Sequence, residues 1–313
     1  MIINLNWMAL AFLAATCWGI VNVLDKEILK YPRLKIDTRL LLDSGFGLLV
    51  AGILSFELSS PTFLLVTLGM CGGALVFSFN ILYYRALKKA DVSAISVYLQ
   101  SVSVFSAIVG FMFFAERFHS DIYLGAFLIV FGAIIVGVER KENGKFTIFS
   151  GENMGVFLRY VLPASLIMSI NYGLTKVLLV HSSFWEVFFW GRIGFAFTGI
   201  IVYVICRKVR QEINADIKLI SVPTIYNVGL IEFLNFLGIL LLTAAYSIGT
   251  ITLVTTVAAI QPLIVIMVLV VIAVLSNREP LNDFSSSRRV LIVRVVAILL
   301  QVIGMFLLAR SQG

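Results

Sequence analysis

The sequence predicts an all-α integral membrane protein with ten transmembrane helices, arranged as two inverted five-helix repeats around a central cavity. Three observations predict this fold. Hydrophobic residues make up 60% of the 313 residues, charged residues make up only 13%, and the apolar residues are gathered into long runs. A soluble domain usually carries about 25% charged residues. Most of this surface is therefore expected to face the lipid bilayer rather than water.

Ten apolar runs approach or reach the length of about 20 residues that a membrane-spanning helix needs. Because the runs are continuous and rich in Leu, Ile, Val and Phe, they favour helices over the short alternating strands of a membrane β-barrel. The predicted spans are residues 7–27, 38–56, 62–87, 92–114, 121–138, 155–180, 184–206, 219–246, 250–275 and 290–309.

The polar link at residues 139–154 divides the chain into a first repeat, residues 1–138, and a second repeat, residues 155–313. Similar short segments occur in the same order in both halves. Because each half has five spans, an odd number, the second half is predicted to enter the membrane in the opposite orientation. The matched segments are 22–26 with 172–176, 42–46 with 191–195, 90–93 with 249–252 and 114–117 with 277–280.

The distribution of basic residues predicts the orientation. Lys and Arg lie mainly in and beside the odd-numbered links between spans, and the exceptions among the 24 are Arg117, Lys176, Arg192 and Arg310. Basic links tend to stay in the cytoplasm. We therefore expect a multi-pass protein of the cell membrane with cytoplasmic odd-numbered links and both termini outside. The net charge of +7 has the same explanation, so no nucleic-acid partner is expected.

The three cysteines show no CxxC spacing, and the two histidines are far apart in the sequence. This pattern predicts neither a disulfide framework nor a metal site, and no cofactor is expected. The segment 69–73 (GMCGG) has the spacing of small residues that lets two membrane helices approach closely.

Short motifs follow the fourth and ninth spans, at residues 115–117 (AER) and 279–281 (EPL), and glycines follow at Gly125, Gly132 and Gly304. In these motifs, and over essentially its whole length, the chain resembles the EamA-type ten-helix transporters of the drug/metabolite transporter superfamily. The resemblance implies a basket of helices around a central cavity and no nucleotide hydrolysis. It also implies substrates among amino acids, nucleosides, sugars and amines.

The predicted function is secondary active transport of a small polar metabolite of the amino acid, nucleoside or amine type, by alternating access, with proton coupling or solute exchange. The alternatives are a membrane-embedded lipid-modifying enzyme and a channel. The sequence has no DDxxD motif and no histidine cluster typical of such enzymes, and its scattered charges do not form the ring that a channel needs. We expect a non-enzymatic monomer or weak homodimer.

Charged residues inside predicted spans are the leading site candidates, because burying charge in a membrane is costly. Glu232 lies in the eighth span with Asn235 on the same helix face. It is predicted either to bind substrate or protons, or to form a structural pair with a basic residue. Asp43 and Arg192 occupy matching repeat positions, so they are predicted either to bridge the two halves or to pair locally.

Lys26 and Lys176 also match, and each is predicted either to take part in gating or coupling or to extend to the membrane interface. Polar side chains within spans are expected to bind substrate or to join helices; they are Asn22, Asn80, Gln100, Asn171, Asn227 and Gln261. Aromatic residues could complete a pocket that, with Glu232, would suit an amine; they are Trp18, Tyr83, Tyr98, Tyr172, Trp190 and Tyr246. Pro262 is expected to disturb the ninth helix.

Overall fold

The computed structural model describes residues 6–31, 34–55, 61–117, 120–136, 139–140, 146–147, 151–276, 296–304 and 306–307. Nearly all of these residues are helical. In the first half the helices are α1 (Trp7–Ile28), α2 (Ile36–Leu54), α3 (Phe63–Leu87), α4 (Val92–Tyr98), α5 (Ser101–Phe114) and α6 (Ser120–Val136).

The link between the halves contains two short antiparallel strands, β1 (Glu139–Arg140) and β2 (Phe146–Thr147). The second half begins with α7 (Gly151–Val156), which continues through a π-helical turn (Phe157–Val161) into α8 (Leu162–His181). The remaining helices are α9 (Phe184–Ile205), α10 (Arg207–Ile217), α11 (Val222–Ile248), α12 (Ile251–Ala258) and α13 (Gln261–Ser276), and residues 296–304 are also helical.

Seven helical stretches in the described residues are long and apolar enough to cross a membrane, and they match seven of the ten predicted spans. Of the other three, α2 has 19 residues but contains three charged side chains, and α6 is shorter. The predicted span 290–309 lies partly outside the described residues. The count of ten therefore remains a prediction. The seven stretches are Trp7–Ile28, Phe63–Leu87, Val92–Phe114, Met154–His181, Phe184–Ile205, Val222–Ile248 and Ile251–Ile272.

The fourth span of each half is interrupted in its middle. Helices α4 and α5 are separated by a turn at Leu99 and Gln100, and α12 and α13 are separated by a turn at Ala259 and Ile260. At the first turn the backbone changes to three-residue bonding, with the Gln100 amide donating to the Val97 carbonyl at 3.0 Å. Pro262 lies in the first turn of α13, where its missing N–H does no harm. The expected disturbance of this helix is therefore present as a tightened turn between α12 and α13.

The AER motif joins the two halves. Ala115 ends α5 in a left-handed conformation, with φ of 51°. The next residue, Glu116, accepts hydrogen bonds from the backbone amides of Ile251 (2.8 Å) and Thr252 (3.1 Å), and from the Thr252 hydroxyl (2.6 Å). A carboxylate at the first turn of a helix satisfies free N–H groups and opposes the helix dipole. The motif therefore fixes the start of α12 beside the end of α5.

The packing between the halves is reciprocal. The first span of each half packs against the third span of the other, α1 against α11 and α8 against α3. Likewise α1 contacts α13 and α8 contacts α5, while the second spans α2 and α9 pack on each other. Reciprocal contacts of this kind are expected when two units are related by a twofold axis.

Two contacts that are equivalent in the repeat, α3 with α9 and α11 with α2, differ in how closely the helices pack. Helices α3 and α9 pack so closely that a Cβ atom on Gly194 would lie 2.8 Å from the Met70 carbonyl carbon. This confirms the close approach predicted for residues 69–73. The corresponding helices of the opposite pair, α11 and α2, instead border a cavity. At Gly45, which matches Gly194 in the repeat, a Cβ atom would meet no described atom within 4 Å outside its own helix.

The amphipathic helix α10 occupies the basic seventh link and was not predicted as a separate element. Its Asp216 accepts a hydrogen bond from the Thr38 hydroxyl at 2.9 Å and lies 3.4 Å from the Lys35 ammonium group. These contacts attach α10 to the first turn of α2.

Candidate functional site

A central cavity of about 880 Å³, counting its open part, lies where the two halves meet. The first, third and fourth spans of each half contribute to its wall. Its polar and aromatic lining includes Trp18, Asn22, Asp25, Asn80, Tyr83, Tyr84, Gln100, Ser103, Tyr172, Asn235, Tyr246, Thr255 and Gln261. A concave site with a mainly apolar wall and a few converging polar groups is the usual form of a small-molecule site.

The two helix breaks lie at this cavity. Gln100 and Gln261, one beside each break, both line it. Gln100 donates from its side-chain amide to the Ser96 carbonyl at 2.7 Å. On the opposite wall, the Tyr83 hydroxyl donates to the Asn22 side-chain oxygen at 2.7 Å, and the Asn22 side-chain nitrogen is buried without a hydrogen-bond partner in the described residues. Interrupted helices at such a site can offer both side-chain and backbone groups to a solute.

Next to the cavity lies a buried cluster of ion pairs centred on Arg39 of α2, whose side chain has no exposed surface. One guanidinium nitrogen lies 3.1 Å from both Asp25 and Glu232, and the other lies 2.9 Å from Asp43, one helical turn away. The Tyr84 hydroxyl donates to the second oxygen of Asp43 at 2.9 Å. Helices α1, α2, α3 and α11 therefore meet at one guanidinium group.

The cluster and the cavity are joined by hydrogen bonds. Asn235 is at the limit of hydrogen-bonding distance from Glu232, 3.5 Å, and it accepts a bond from the Trp18 indole nitrogen at 3.2 Å. Asn235, Trp18 and Asp25 all line the cavity, whereas Glu232 does not. A solute in the cavity could therefore contact one carboxylate of the cluster directly and influence another through Asn235.

The cluster has an excess of negative charge, because three carboxylates surround one guanidinium group. Burying unbalanced charge in a low-dielectric region is costly, so such groups are normally paired or neutralised. In the described residues, no group of three or more His, Cys, Asp or Glu side chains is arranged to hold a metal ion. A bound proton or a cationic group would reduce the excess.

A second cavity, of about 510 Å³, lies between α3, α8, α9 and α11. It is lined by Asn171, Thr175, Arg192, Thr243 and several glycines, and it shares the wall residues Val76 and Ile239 with the central cavity.

A third cavity, of about 910 Å³, lies between α2, α9 and α11, with Arg192 and Glu232 among apolar residues. Leu49 and Ile53 in its wall are 65% and 72% exposed, so it opens at a lipid-facing surface.

The structure brings together five of the predicted substrate-binding residues in the central cavity: Asn22, Tyr83, Tyr172, Asn235 and Gln261. Glu232 belongs to the Arg39 cluster, which agrees with the alternative of a pair with a basic residue. Its position outside the cavity removes the argument for an aromatic cage that binds an amine with Glu232.

Three other predicted residues lie elsewhere. Asn171 lines the second cavity, with its side-chain oxygen close to Gly72. Tyr98 packs its ring on Phe157, 5.3 Å between centroids, and Trp190 packs against Gly69. Neither aromatic side chain lines the central cavity, because each is used for contacts between helices.

Asp43 and Arg192 do not form a salt bridge. Asp43 pairs locally with Arg39, one turn earlier in α2, because this spacing places both side chains on one helix face. The Arg192 guanidinium instead lies over the Phe188 ring, 5.2 Å from its centroid. Of the two alternatives, local pairing is therefore correct for Asp43.

Lys26 and Lys176 make equivalent contacts in the two halves. The Lys26 ammonium group donates to the carbonyls of Leu87 and Ala90 after α3, at 2.5 and 2.8 Å. Lys176 donates to the carbonyls of Tyr246 and Gly249 after α11, at 2.5 and 2.7 Å. A cation at a helix C-terminus binds unpaired carbonyls and opposes the dipole. Both side chains therefore cap the end of a neighbouring helix, and their position relative to the membrane interface stays a prediction.

Sequence reasoning missed Arg39 and Asp25. Arg39 was assigned to the basic link after the first span, where a charge count treats it as an orientation signal. Two features could have identified it: it lies inside the second apolar run, and it is four residues before Asp43. Asp25 was masked by its neighbours Lys26 and Glu27, and its burial follows from the contact between α1 and α11.

Comparison with solved structures shows that the fold occurs in another protein. The described structure resembles a solved crystal structure with a TM-score of 0.60, at 16% sequence identity, over 96% of this chain and 98% of the other. At this identity the likeness shows the fold alone. No curated protein matches the sequence at a significant level.

The sequence of the first half also matches a known protein family over residues 5–138, a region that includes α1 to α6 and the AER motif. The match agrees with the resemblance noted from the short motifs, and with the several apolar helices it indicates a multi-pass membrane protein. Residues 5–138 match the EamA-like transporter family, which belongs to the drug/metabolite transporter superfamily.

Proposed function

We propose that this protein is a secondary active transporter that moves a small polar metabolite across the cell membrane by alternating access. The observation that carries the proposal is the central cavity, because it lies between the halves and is lined by equivalent spans of both. Broken helices around a site at the repeat interface are a recurrent feature of such carriers. The match of residues 5–138 to a transporter family supports this function over that of an enzyme.

An inverted relation between the halves would let the same cavity open to either side. The reciprocal contacts of α1 with α11 and of α8 with α3 support a twofold relation. The odd number of predicted spans per half and the bias of Lys and Arg support opposite orientations in the membrane. In this arrangement the odd-numbered links are cytoplasmic, both termini are outside, and the protein works as a monomer or weak homodimer.

The different surroundings of Gly45 and Gly194 support two alternating states. The Gly194 contact between α9 and α3 is closed, whereas its counterpart Gly45 faces open space. An inverted repeat interconverts its two states when each half adopts the conformation of the other. In the opposite state, Gly45 would approach α11 and Gly194 would separate from α3.

The Arg39 cluster is proposed as the coupling element. With three carboxylates around one guanidinium group, the cluster can release or bind a proton, and Asn235 and Trp18 link it to the cavity. Glu232 is the carboxylate that connects these two parts. A change in the charge of Glu232 would therefore affect both the ion pairs of Arg39 and a solute bound in the central cavity.

Reconstituted liposomes provide the test. Wild-type protein should accumulate a solute from an amino acid and nucleoside panel when an inward or outward proton gradient is imposed. Glu232→Gln should lower the initial rate about tenfold or more, because a neutral amide loses the ion pair with Arg39 that connects the cluster to Asn235. The variant should remain folded, because Arg39 keeps Asp25 and Asp43.

Glu27→Gln is the matched control. Glu27 is on the same helix as Asp25 but is exposed, and it pairs only with exposed Lys30 among its described ion pairs. Its removal should leave transport unchanged, since exposed pairs contribute little. Failure of the wild type to move any solute under any gradient would refute the transporter proposal. Normal, gradient-dependent uptake by Glu232→Gln would refute the coupling role.

A further inference from the structure

Arg192 is a buried cation that forms no salt bridge in the described part of the chain, although Glu232 and Asp43 lie close enough to act on its charge. Its side chain is only 8% exposed, and the structure gives it no hydrogen bond and no ion pair with any described residue. Its guanidinium group lies over the ring of Phe188. A guanidinium group carries five N–H donors and remains charged, so an unpaired one within a membrane protein is expensive.

The nearest carboxylates are already occupied. Glu232 shares the third cavity with Arg192, but one of its oxygens lies 3.1 Å from Arg39 and the other lies 3.5 Å from the Asn235 side-chain nitrogen. Asp43 is bound by Arg39 and by the Tyr84 hydroxyl. Arg192 therefore has no ion pair of its own in this conformation, and an anion that entered the space beside it would supply one.

The second cavity provides space and further polar groups for such an anion. Asn171, Thr175 and Thr243 line it together with Arg192. Glycines form part of the opposite wall, and a Cβ atom on Gly72 would lie 3.0 Å from the Asn171 side-chain oxygen, so a larger residue there would fill the space beside this amide. Through Val76 and Ile239 the cavity adjoins the central cavity.

We propose that Arg192 recognises a carboxylate group of the transported solute, with Asn171, Thr175 and Thr243 as additional hydrogen-bonding groups. The inference rests on the proposed transport function and narrows its substrate class to carboxylate-bearing metabolites, rather than amines or nucleosides. Arginine suits this role because its planar fork of donors matches the two oxygens of a carboxylate. The body of the solute would extend past Val76 and Ile239 into the central cavity.

The binding test uses purified full-length protein in detergent and measures thermal stabilisation. The probes are L-phenylalanine, L-leucine and L-methionine, each compared with its α-amide and with its decarboxylated amine; inorganic phosphate is a further probe. At least one acid should stabilise the wild type, while its amide and its amine should require at least about tenfold higher concentrations, because they lack the anionic group. Phosphate should have no effect at the concentration at which that acid saturates.

Variants locate the effect. Arg192→Gln should abolish stabilisation by the acid, and Arg192→Lys should weaken it about tenfold, because an ammonium group keeps the charge but loses the fork. Thr243→Val leaves α9 intact and should weaken binding several-fold, which keeps the test valid if Arg192 variants fold poorly. Arg207→Gln, which removes an exposed arginine from α10, should bind as the wild type does.

Three results would overturn the proposal: equal stabilisation by the acid and its amide or amine, undiminished binding by folded Arg192→Gln, or no stabilisation by any of the three acids. A counterflow assay in liposomes distinguishes failure of the carboxylate-binding proposal from failure of the proposed transport function. Transport of amines without preference for acids would keep the transporter and remove the carboxylate site. Binding of an acid without transport of any solute would keep the carboxylate site and remove the transport function.

Discussion

Replacing Gly194 by alanine would place a methyl group against the backbone of α3. The new Cβ atom would contact the Met70 oxygen and Cα atom and would lie 2.8 Å from the Met70 carbonyl carbon, all rigid parts of a helix. At the matching position Gly45, the same change would add a methyl group to open space. The pair therefore compares one substitution at two repeat-related sites.

Both variants gain about 1 kcal/mol of helix propensity, so this effect cancels between them. Overpacking against backbone costs about 3 kcal/mol and applies to Gly194→Ala alone. The closed α3–α9 state should therefore be less stable in Gly194→Ala than in Gly45→Ala by about 3 kcal/mol, roughly a hundredfold in an equilibrium constant.

The assay is denaturant unfolding of the purified variants, together with solute uptake in liposomes. Gly194→Ala should unfold at lower denaturant concentration than the wild type, and Gly45→Ala should be as stable as the wild type or slightly more so. If the opposite state brings Gly45 against α11, Gly45→Ala should nevertheless slow transport. Equal unfolding free energies for the two variants would show that the close α3–α9 contact is not part of the native packing.

Three further predictions concern the buried polar contacts. Arg39→Gln should destabilise the fold by about 3–5 kcal/mol, because it leaves three carboxylates without their cation; an unchanged melting temperature would contradict the ion-pair cluster. Glu116→Ala should cost about 1–3 kcal/mol through loss of the bonds to Ile251 and Thr252, and Glu116→Gln should cost less, as chemical denaturation can show. Lys176→Met should lower the free energy of unfolding by about 2 kcal/mol, whereas Lys30→Met, which removes an exposed lysine, should leave it almost unchanged. Similar losses of stability in the two variants would rule out the contacts of Lys176 with the carbonyls.

The apolar runs identified most of the helices, because lipid-facing surfaces leave a strong and continuous signal in the sequence. Even the second run, where α2 lies, ended within two residues of the described helix. The repeat also led to real contacts, since the matched Lys26 and Lys176 bind equivalent carbonyls. Side-chain pairing was harder to predict. Arg39 looks like an orientation signal in the sequence, and only the packing of α1 and α11 on α2 shows that it is enclosed by acids.

Some of the residues that line the central cavity could be predicted from the sequence, and others could not. Asn22, Tyr172 and Gln261 could be found because polar groups within apolar runs point to the interior. Tyr98 and Trp190 could not be separated from them, since a buried aromatic ring that packs on another helix has the same sequence signal as one that lines a pocket. The break beside Gln100 has no proline to mark it, in contrast to the one near Pro262.

The short half-helices of the fourth spans depend on their neighbours for their orientation. Helix α4 has seven residues and α12 has eight, lengths at which an isolated helix does not hold its shape in water. A solute that contacts both Gln100 and Gln261 would therefore bias the tilt of these short segments. That tilt would be transmitted to two separate contacts, Glu116 at the start of α12 and Lys26 beside the start of α4.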